Sequence, residues 1–191
     1  MVTRWIFTVF LALLGLQRIF ELRLSNRHEN KLIEKGAKLY GVAQFKVMKA
    51  MHFSWFLAML FEVFHFQRPF IPRLAKLAAI LFMAGQALRY SAIRTLRQRW
   101  TASVCVLPAP PVKQGIYRYI RHPNYLGVIL EIVAVPLLHS AYWTAAVFSL
   151  FNAALLQARI RLEERALSDL CNYQSLFREQ PKLFPKLNLY K

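Results

Sequence analysis

The residues with the clearest chemical potential are Tyr117 to Tyr125, which read Y-R-Y-I-R-H-P-N-Y and directly precede an apolar run. Pro123 suits the first position of a helix, because its φ is fixed and its missing N–H is not needed there. A helix that begins at this point would aim free backbone N–H groups at an anionic ligand. A basic, aromatic segment before a hydrophobic helix therefore predicts a site where an aqueous ligand meets a membrane-buried one.

A second candidate segment is Arg159 to Leu167, with the sequence R-I-R-L-E-E-R-A-L. Arg159 and Glu163 are four residues apart and share one face of a helix. Such a pair is most often a surface salt bridge. The functional alternative is that Arg159 contacts an anionic substrate, while Glu163 accepts a hydrogen bond from a ligand hydroxyl or ammonium group.

Four ionisable residues lie inside apolar runs, where charge is costly and often functional. They are Glu62, His65, Arg89 and Glu131. The structural alternative for each is a buried pair, such as Arg89 with Glu131. We favour that alternative for Glu62 and His65. For Arg89 and Glu131 we favour function, because each is near the cytoplasmic end of its predicted span.

Composition separates two classes of protein. The chain is 57% hydrophobic, yet it carries a net charge of +17, which suits either a nucleic-acid binder or a membrane protein with basic loops. The basic residues lie between apolar runs and not on one face of a polar domain, which indicates a membrane protein and no nucleic-acid partner. The two cysteines, Cys105 and Cys171, predict neither a disulfide framework nor a metal site.

The apolar runs predict an all-α polytopic membrane protein, one domain over residues 1–191, with about five transmembrane helices. The basic linker from Arg23 to Lys49 is predicted to lie on the cytoplasmic headgroups as a helix, and the proline-rich segment from Thr101 to Gln114 to be extended. Pro181 and Pro185 argue against a long final helix. The predicted spans are 5–24, 50–66, 74–93, 125–138 and 141–160, of which the fourth is short for a full crossing.

The last two spans form a predicted hairpin that turns at His139 and Ser140. Both of its outer ends then face the cytoplasm, by the rule that basic loops stay inside. This arrangement brings Tyr117–Tyr125 and Arg159–Glu164 to the same face of the membrane, and it predicts a cytoplasm-facing pocket between them.

The order of these motifs resembles the isoprenylcysteine carboxyl methyltransferase family of integral membrane enzymes, which use S-adenosylmethionine. The matching features are Arg89, G-I-Y at Gly115, R-H-P-N-Y at Arg121, Gly127 and R-x-x-x-E-E-x-x-L at Arg159, so the resemblance covers about residues 85–185. The segment from Arg27 to Gly41 looks like a bacterial branch associated with type III polyketide synthases and thought to methylate alkylpyrone-type lipids. The resemblance implies a protein of the bacterial inner membrane.

The resemblance also implies roles for particular residues. Arg159 matches a substrate-side arginine and Arg89 another functional arginine, whereas Glu131 is not general to the family and its catalytic role is open. The loop from Val104 to Lys113 departs from the family pattern. The positions that match cofactor contacts are Val112 (through its backbone), Tyr117, His122, Pro123, Asn124, Tyr125 and Glu163.

The reaction implied is methyl transfer to a carboxylate or enol oxygen of a lipophilic substrate. Arg159, with Arg89, would hold that oxygen as its anion, and Glu131 or His122 would accept a proton from an enol. Three alternatives remain: an NADPH-dependent membrane sterol or enone reductase, a phospholipid N-methyltransferase, and a lipid-binding scaffold without activity. Binding of S-adenosylhomocysteine or of NADP separates the enzyme classes.

Overall fold

The computed structural model describes residues 1–171 and 173–183; Pro185 lies outside this part of the chain. The elements in order are α1 (Val2–Glu34), β1 (Lys38–Tyr40), α2 (Val42–His65), α3 (Pro72–Leu96), β2 (Val104–Val106), α4 (Pro123–Leu137), α5 (Tyr142–Leu170) and α6 (Tyr173–Phe177). Short 3-10 turns lie at Arg97–Arg99 and Gly115–Arg118. The chain is therefore an all-α membrane protein with one small β-ribbon.

Three of the described helices, α1, α2 and α5, are long and apolar enough to cross a membrane. Helix α3 has 25 residues and a length of about 37 Å at ~1.5 Å per residue, but its sequence is more polar. Helix α4 is apolar and has 15 residues. Full crossing by α3 and α4 thus stays a prediction.

Prolines mark where two of the helices begin, as the sequence indicates. Pro72 and Pro123 each stand at the start of their helix, where the missing N–H removes no hydrogen bond. Pro136 lies at the end of α4, and Ser140 turns the chain with φ of 56°. The predicted hairpin of the last two helices is confirmed, and its second helix continues to Leu170.

The predicted interfacial helix between Arg23 and Lys49 is wrong. Helix α1 continues unbroken to Glu34, because neither glycine nor proline occurs between Gly15 and Gly36. A short strand and then α2 follow, and β1 pairs antiparallel with β2, with Lys38 opposite Val106. The segment from Thr101 to Gln114 contains no α-helix, as predicted, and includes β2.

Helices α3 and α4 approach each other closely at two glycines. A Cβ atom on Gly127 would lie 2.8 Å from the backbone oxygen of Gly85, and one on Gly85 would lie 3.0 Å from that of Gly127. The contact therefore needs residues without side chains. Because Gly127 lies two residues after Tyr125, this contact holds the first turns of α4 against α3.

The core extends between α1, α2, α4 and α5. Its largest cluster includes residues from all four helices, among them Phe7, Trp55, Ile132 and Leu156. Many large apolar side chains on the outer faces are exposed, such as Phe53, Phe61 and Leu150. Lipid-facing helices carry apolar residues on both faces, which is the pattern expected of a chain that a bilayer surrounds.

Candidate active site

The first turn of α4 begins at Pro123, but the two preceding backbone N–H groups are not free. The N–H of Arg121 donates to the carbonyl oxygen of Pro181 at 3.0 Å, and the N–H of His122 donates to the carbonyl oxygen of Lys182 at 3.0 Å. These two groups hold the C-terminal segment. Binding of an anionic ligand by N–H groups within the first turn of α4 stays a prediction.

Glu164 joins this turn to α5 and to the C-terminal segment. Its carboxylate lies 3.3 Å from Nη1 of Arg121, 3.3 Å from Nε2 of His122 and 2.6 Å from Nζ of Lys182. The imidazole of His122 also stacks on the ring of Tyr125, with centroids 5.3 Å apart. His122 and α5 thus meet as expected, although the carboxylate in contact is Glu164 and not Glu163.

The hydroxyl of Tyr125 links Arg159 and Glu163. Nε of Arg159 donates to that hydroxyl at 2.8 Å, and the hydroxyl donates to the Glu163 carboxylate. Arg159 is 3% exposed. The surface salt bridge is therefore the wrong interpretation of this R-x-x-x-E spacing, since Arg159 is buried and both side chains bond to the Tyr125 hydroxyl.

Arg159 is a buried cation without a carboxylate partner among the described residues. Its Nη2 donates to the carbonyl oxygen of Ala102, Nη1 contacts the sulfur of Met48 at 3.6 Å, and the group lies over the rings of Phe45 and Tyr125. Burial of an unpaired charge is costly. The local charge therefore favours an anionic ligand.

A loop-side cavity of about 140 Å³ opens between the β2 segment, the start of α4 and α5. Its lining includes Val112, Tyr117, His122, Asn124, Tyr125 and Glu163, six of the residues that match family cofactor positions. Pro123 does not line it, because it serves as the first residue of α4. The structure brings these side chains together, and their role as cofactor contacts stays a prediction.

The phenol groups of two tyrosines in this cavity, Tyr117 and Tyr173, stay neutral at physiological pH. Burial raises the pKa of Tyr117 well above its ordinary value, and the nearby charge of Glu163 raises it further. The same two causes raise the pKa of Tyr173. Neutral phenols remain hydrogen-bond donors, so the cavity offers hydroxyl donors and a carboxylate acceptor to a ligand.

A helix-side cavity of about 440 Å³ lies between helices α1 to α5. It is mainly apolar, with Phe45, Met48 and Trp55 in its lining. The three residues predicted to be catalytic, Arg159, Arg89 and Glu131, all line it. Three residues line both cavities, namely Trp100, Asn124 and Tyr125, so the cavities meet at these side chains.

Arg89 and Glu131 belong to one polar network, but they do not pair directly. Arg89 lies 2.7 Å from Glu21, and Arg18 bridges Glu21 and Glu131 at 2.6 and 2.7 Å. Nε2 of Gln86 donates to Glu131 at 3.1 Å. The direct pair named above as the structural alternative is therefore not formed, and each residue pairs with a partner on α1 instead. Arg18 was not among the predicted site residues. The sequence feature that could have indicated it is its place at the polar end of the first apolar run.

Glu62 has the structural role that the sequence favours. Its carboxylate accepts hydrogen bonds from the backbone N–H groups of Trp143 and Thr144 at the start of α5, at 3.1 and 2.7 Å, and pairs with Arg68 at 2.8 Å. His65 stacks on Phe61 with centroids 4.8 Å apart. Neither residue lines the two cavities described above.

Comparison with known proteins gives consistent results. The sequence model of the isoprenylcysteine carboxyl methyltransferase (ICMT) family matches residues 78–169. The uncharacterized protein YpbQ of Bacillus subtilis (strain 168) is 36% identical over 164 residues, covering 85% of this chain and 97% of its own length. An uncharacterized protein of Haemophilus influenzae is 30% identical over 155 residues, covering 80% and 90%.

The fold resembles that of a solved structure. The eukaryotic intramembrane Ras methyltransferase ICMT superimposes with a TM-score of 0.57 at 19% identity, over 76% of this chain. The match spans 55% of that protein, so the likeness concerns the fold, and it leaves nearly half of the eukaryotic chain without a counterpart.

Proposed function

Because this chain belongs to the isoprenylcysteine carboxyl methyltransferase family, we propose that it is an S-adenosylmethionine-dependent methyltransferase acting on an oxygen atom of a lipophilic substrate. The observation that carries the proposal is the meeting of two different cavities at Trp100, Asn124 and Tyr125. One cavity offers polar groups at the loop side, and the other is mainly apolar and lies between helices. A water-soluble donor and a lipid acceptor would meet at this junction.

The loop-side cavity fits the cofactor by its chemistry. The carboxylate of Glu163 can accept hydrogen bonds from ribose hydroxyls or from the ammonium group, and the rings of Tyr117, Tyr173 and Phe177 suit an adenine and a sulfonium. Oδ1 of Asn124 is buried without a partner among the described residues, which leaves an acceptor for a bound ligand. When bound, S-adenosylmethionine supplies the methyl group, whose bond to sulfur breaks as a bond to the acceptor oxygen forms, leaving the electron pair on sulfur.

Arg159 would hold the acceptor oxygen as its anion at the junction. The buried guanidinium has donors directed at Tyr125 and Ala102, so its position is fixed before an acceptor arrives. Removal of a single preorganised donor from an oxyanion site typically costs about 3 kcal/mol of transition-state stabilisation. We expect a contribution of the same size from the guanidinium of Arg159. The mainly apolar lining of the helix-side cavity disfavours water around the nucleophile, so the charge of Arg159 is screened less than in bulk water.

Glu131 is better suited to a positioning role than to proton transfer. Its carboxylate already accepts from Arg18 at 2.7 Å and from Gln86 at 3.1 Å. It lies six residues after Tyr125 on α4, about 9 Å deeper at ~1.5 Å per residue. We assign to it and to Arg89 the positioning of α3 and α4 against α1 around the helix-side cavity, through their ion pairs with Arg18 and Glu21.

The acceptor class that fits is an acidic lipid, either isoprenylcysteine-like or alkylpyrone-like. An association with polyketide synthases stays a prediction. We further propose that the protein lies in the bacterial inner membrane with both cavities open toward the cytoplasm, where S-adenosylmethionine is made.

Calorimetry in detergent tests the cofactor assignment. We expect S-adenosylhomocysteine to bind with a dissociation constant in the micromolar range, on the order of −8 kcal/mol, and NADP not to bind. Binding of NADP alone would favour the reductase alternative, and binding of neither nucleotide would favour a scaffold.

Mass spectrometry of lipids from cells with and without the protein identifies the acceptor. The expected result is one added methyl group on an acidic lipid. Methylation of a phospholipid amine would contradict the proposal and favour the N-methyltransferase alternative.

A further inference from the structure

The indole N–H of Trp100 is a buried donor that the family motifs do not include. Trp100 is 2% exposed, and its Nε1 has no hydrogen-bond partner in the described part of the chain. Buried polar groups in folded proteins nearly always have a partner, and an exception calls for an explanation. A hydrogen bond to a bound ligand is one such explanation.

The position of Trp100 at the junction of the two cavities indicates that the ligand is the methyl acceptor. Its side chain lines both cavities, as only Asn124 and Tyr125 also do among their lining residues. The Tyr125 hydroxyl is already engaged with Arg159 and Glu163. Trp100 therefore supplies an uncommitted donor at the junction where the methyl group must pass.

The backbone around Trp100 is held from three directions. Nδ1 of His28 lies 2.8 Å from the carbonyl oxygen of Trp100, Oγ of Ser25 accepts from the N–H of Ala102 at 2.7 Å, and Arg159 donates to the carbonyl oxygen of Ala102. Ser25 and His28 belong to the part of α1 that continues past its apolar run. The backbone that carries the indole is thus held before any ligand binds, and one of its hydrogen bonds comes from the guanidinium of Arg159.

We propose that the N–H of Trp100 donates a hydrogen bond to the methyl acceptor, beside the contact from Arg159, and so selects an oxyanion as the reacting group. The inference rests on the proposed function. An indole N–H can donate but not accept, so it matches the second lone pair or second oxygen of a carboxylate or enolate. It cannot accept from an amine, and the adjacent cation of Arg159 repels an ammonium group. Trp100 is a positioning residue, and its proton stays on nitrogen throughout.

Nuclear magnetic resonance of the wild-type protein tests this contact directly. The chain has four tryptophans, so ¹⁵N-labelled protein saturated with S-adenosylhomocysteine gives a simple set of indole signals, assigned with single Trp→Phe variants. The probe is S-farnesylated N-acetylcysteine, and its primary amide is the matched neutral compound. We expect the Trp100 signal to move strongly downfield with the carboxylate and much less with the amide, whereas the signal of Trp55, which also lines the helix-side cavity, should respond equally to both compounds.

A second measurement uses Trp100→Phe, which keeps an aromatic ring and removes the donor. We expect carboxylate affinity to fall about tenfold, the value of one hydrogen bond to a charged group, while affinity for the amide and for S-adenosylhomocysteine stays within twofold. Trp143→Phe is the control, because Trp143 is 68% exposed and lines neither cavity; it should match the wild type.

The outcomes separate the two proposals. If S-adenosylhomocysteine binds but the carboxylate neither binds nor shifts the Trp100 signal, the inference about Trp100 is wrong and the proposed function stands. The same holds if carboxylate and amide shift that signal equally. If S-adenosylhomocysteine does not bind the wild-type protein, the proposed function itself fails.

Discussion

The Tyr125 hydroxyl connects two residues to which we assign different ligands. It accepts from Arg159 and donates to Glu163, so the proposed acceptor and cofactor sites share one hydrogen-bonded unit. Arg159 lines the helix-side cavity and Glu163 the loop-side cavity. Substitutions at the two ends of this unit should therefore have different kinetic effects.

Arg159→Met should lower kcat by about 100-fold or more, because it removes a preorganised cation worth ~3 kcal/mol to an oxyanion, while S-adenosylhomocysteine affinity changes little. Glu163→Gln should instead weaken S-adenosylhomocysteine binding by about tenfold. The measurements are calorimetry, and turnover of the lipid acceptor at saturating donor. Arg161→Met, at an exposed position of the same helix, is the control. Loss of cofactor affinity in Arg159→Met with normal kcat would reverse the assigned roles.

Much of this site could be predicted residue by residue, because its motif residues lie near one another in sequence or on one helix face. The pairing of His122 with Glu164 could not be predicted. Glu163 and Glu164 are adjacent and identical in type, and only the orientation of α5 decides which of them faces His122. Trp100 was also missed. Its importance depends on an unpaired N–H at a junction of cavities, which no spacing of residue types reveals.

At the scale of elements, the α3–α4 contact places the start of α4. Gly127→Ala would put a Cβ 2.8 Å from the backbone oxygen of Gly85, so one helix must shift. We expect a loss of stability of about 1–3 kcal/mol, seen as a lower thermal midpoint in detergent. Gly15→Ala is the matched control, since its Cβ would meet nothing within 4 Å and alanine favours a helix.

An unchanged midpoint for Gly127→Ala would mean that α3 and α4 separate without cost. The α4 shift should also reduce affinity for S-adenosylhomocysteine, because Asn124 and Tyr125 lie within one turn of Gly127. A stable variant with full affinity would show that this contact does not position the site.

The sequence predicts the helices well and the β-ribbon not at all. Apolar runs and prolines mark both ends of α3 and α4 within three residues, whereas α2 begins at Val42 and not at 50, and α5 continues to Leu170. The strands are three residues each, and Lys38 pairs with Val106 across two intervening helices. Such a distant pairing leaves no local pattern, and neither does the return of the C-terminal segment to Arg121 and His122.

At the scale of the whole molecule, basic residues collect on the face that bears the loop-side cavity. They include Lys31, Lys35, Arg94, Arg97, Arg99 and Lys113, which line one open groove at this face. The opposite face has short connections, at 66–71 and 138–141, in which Arg68 is paired with Glu62. Basic residues near helix ends set orientation toward the cytoplasm, so both cavities should open there.

Cysteine labelling tests this orientation. In a chain with Cys105 and Cys171 replaced by serine, Gln98→Cys should react with a membrane-impermeant maleimide in inverted vesicles and stay unlabelled in intact spheroplasts. Gln67→Cys, exposed on the opposite face, should show the reverse pattern and thereby controls for reagent access. Labelling of Gln98→Cys from outside would place the loop-side cavity away from the cytoplasmic pool of S-adenosylmethionine. The proposed reaction would then lack its donor, because a charged nucleoside does not cross ~30 Å of hydrocarbon unaided.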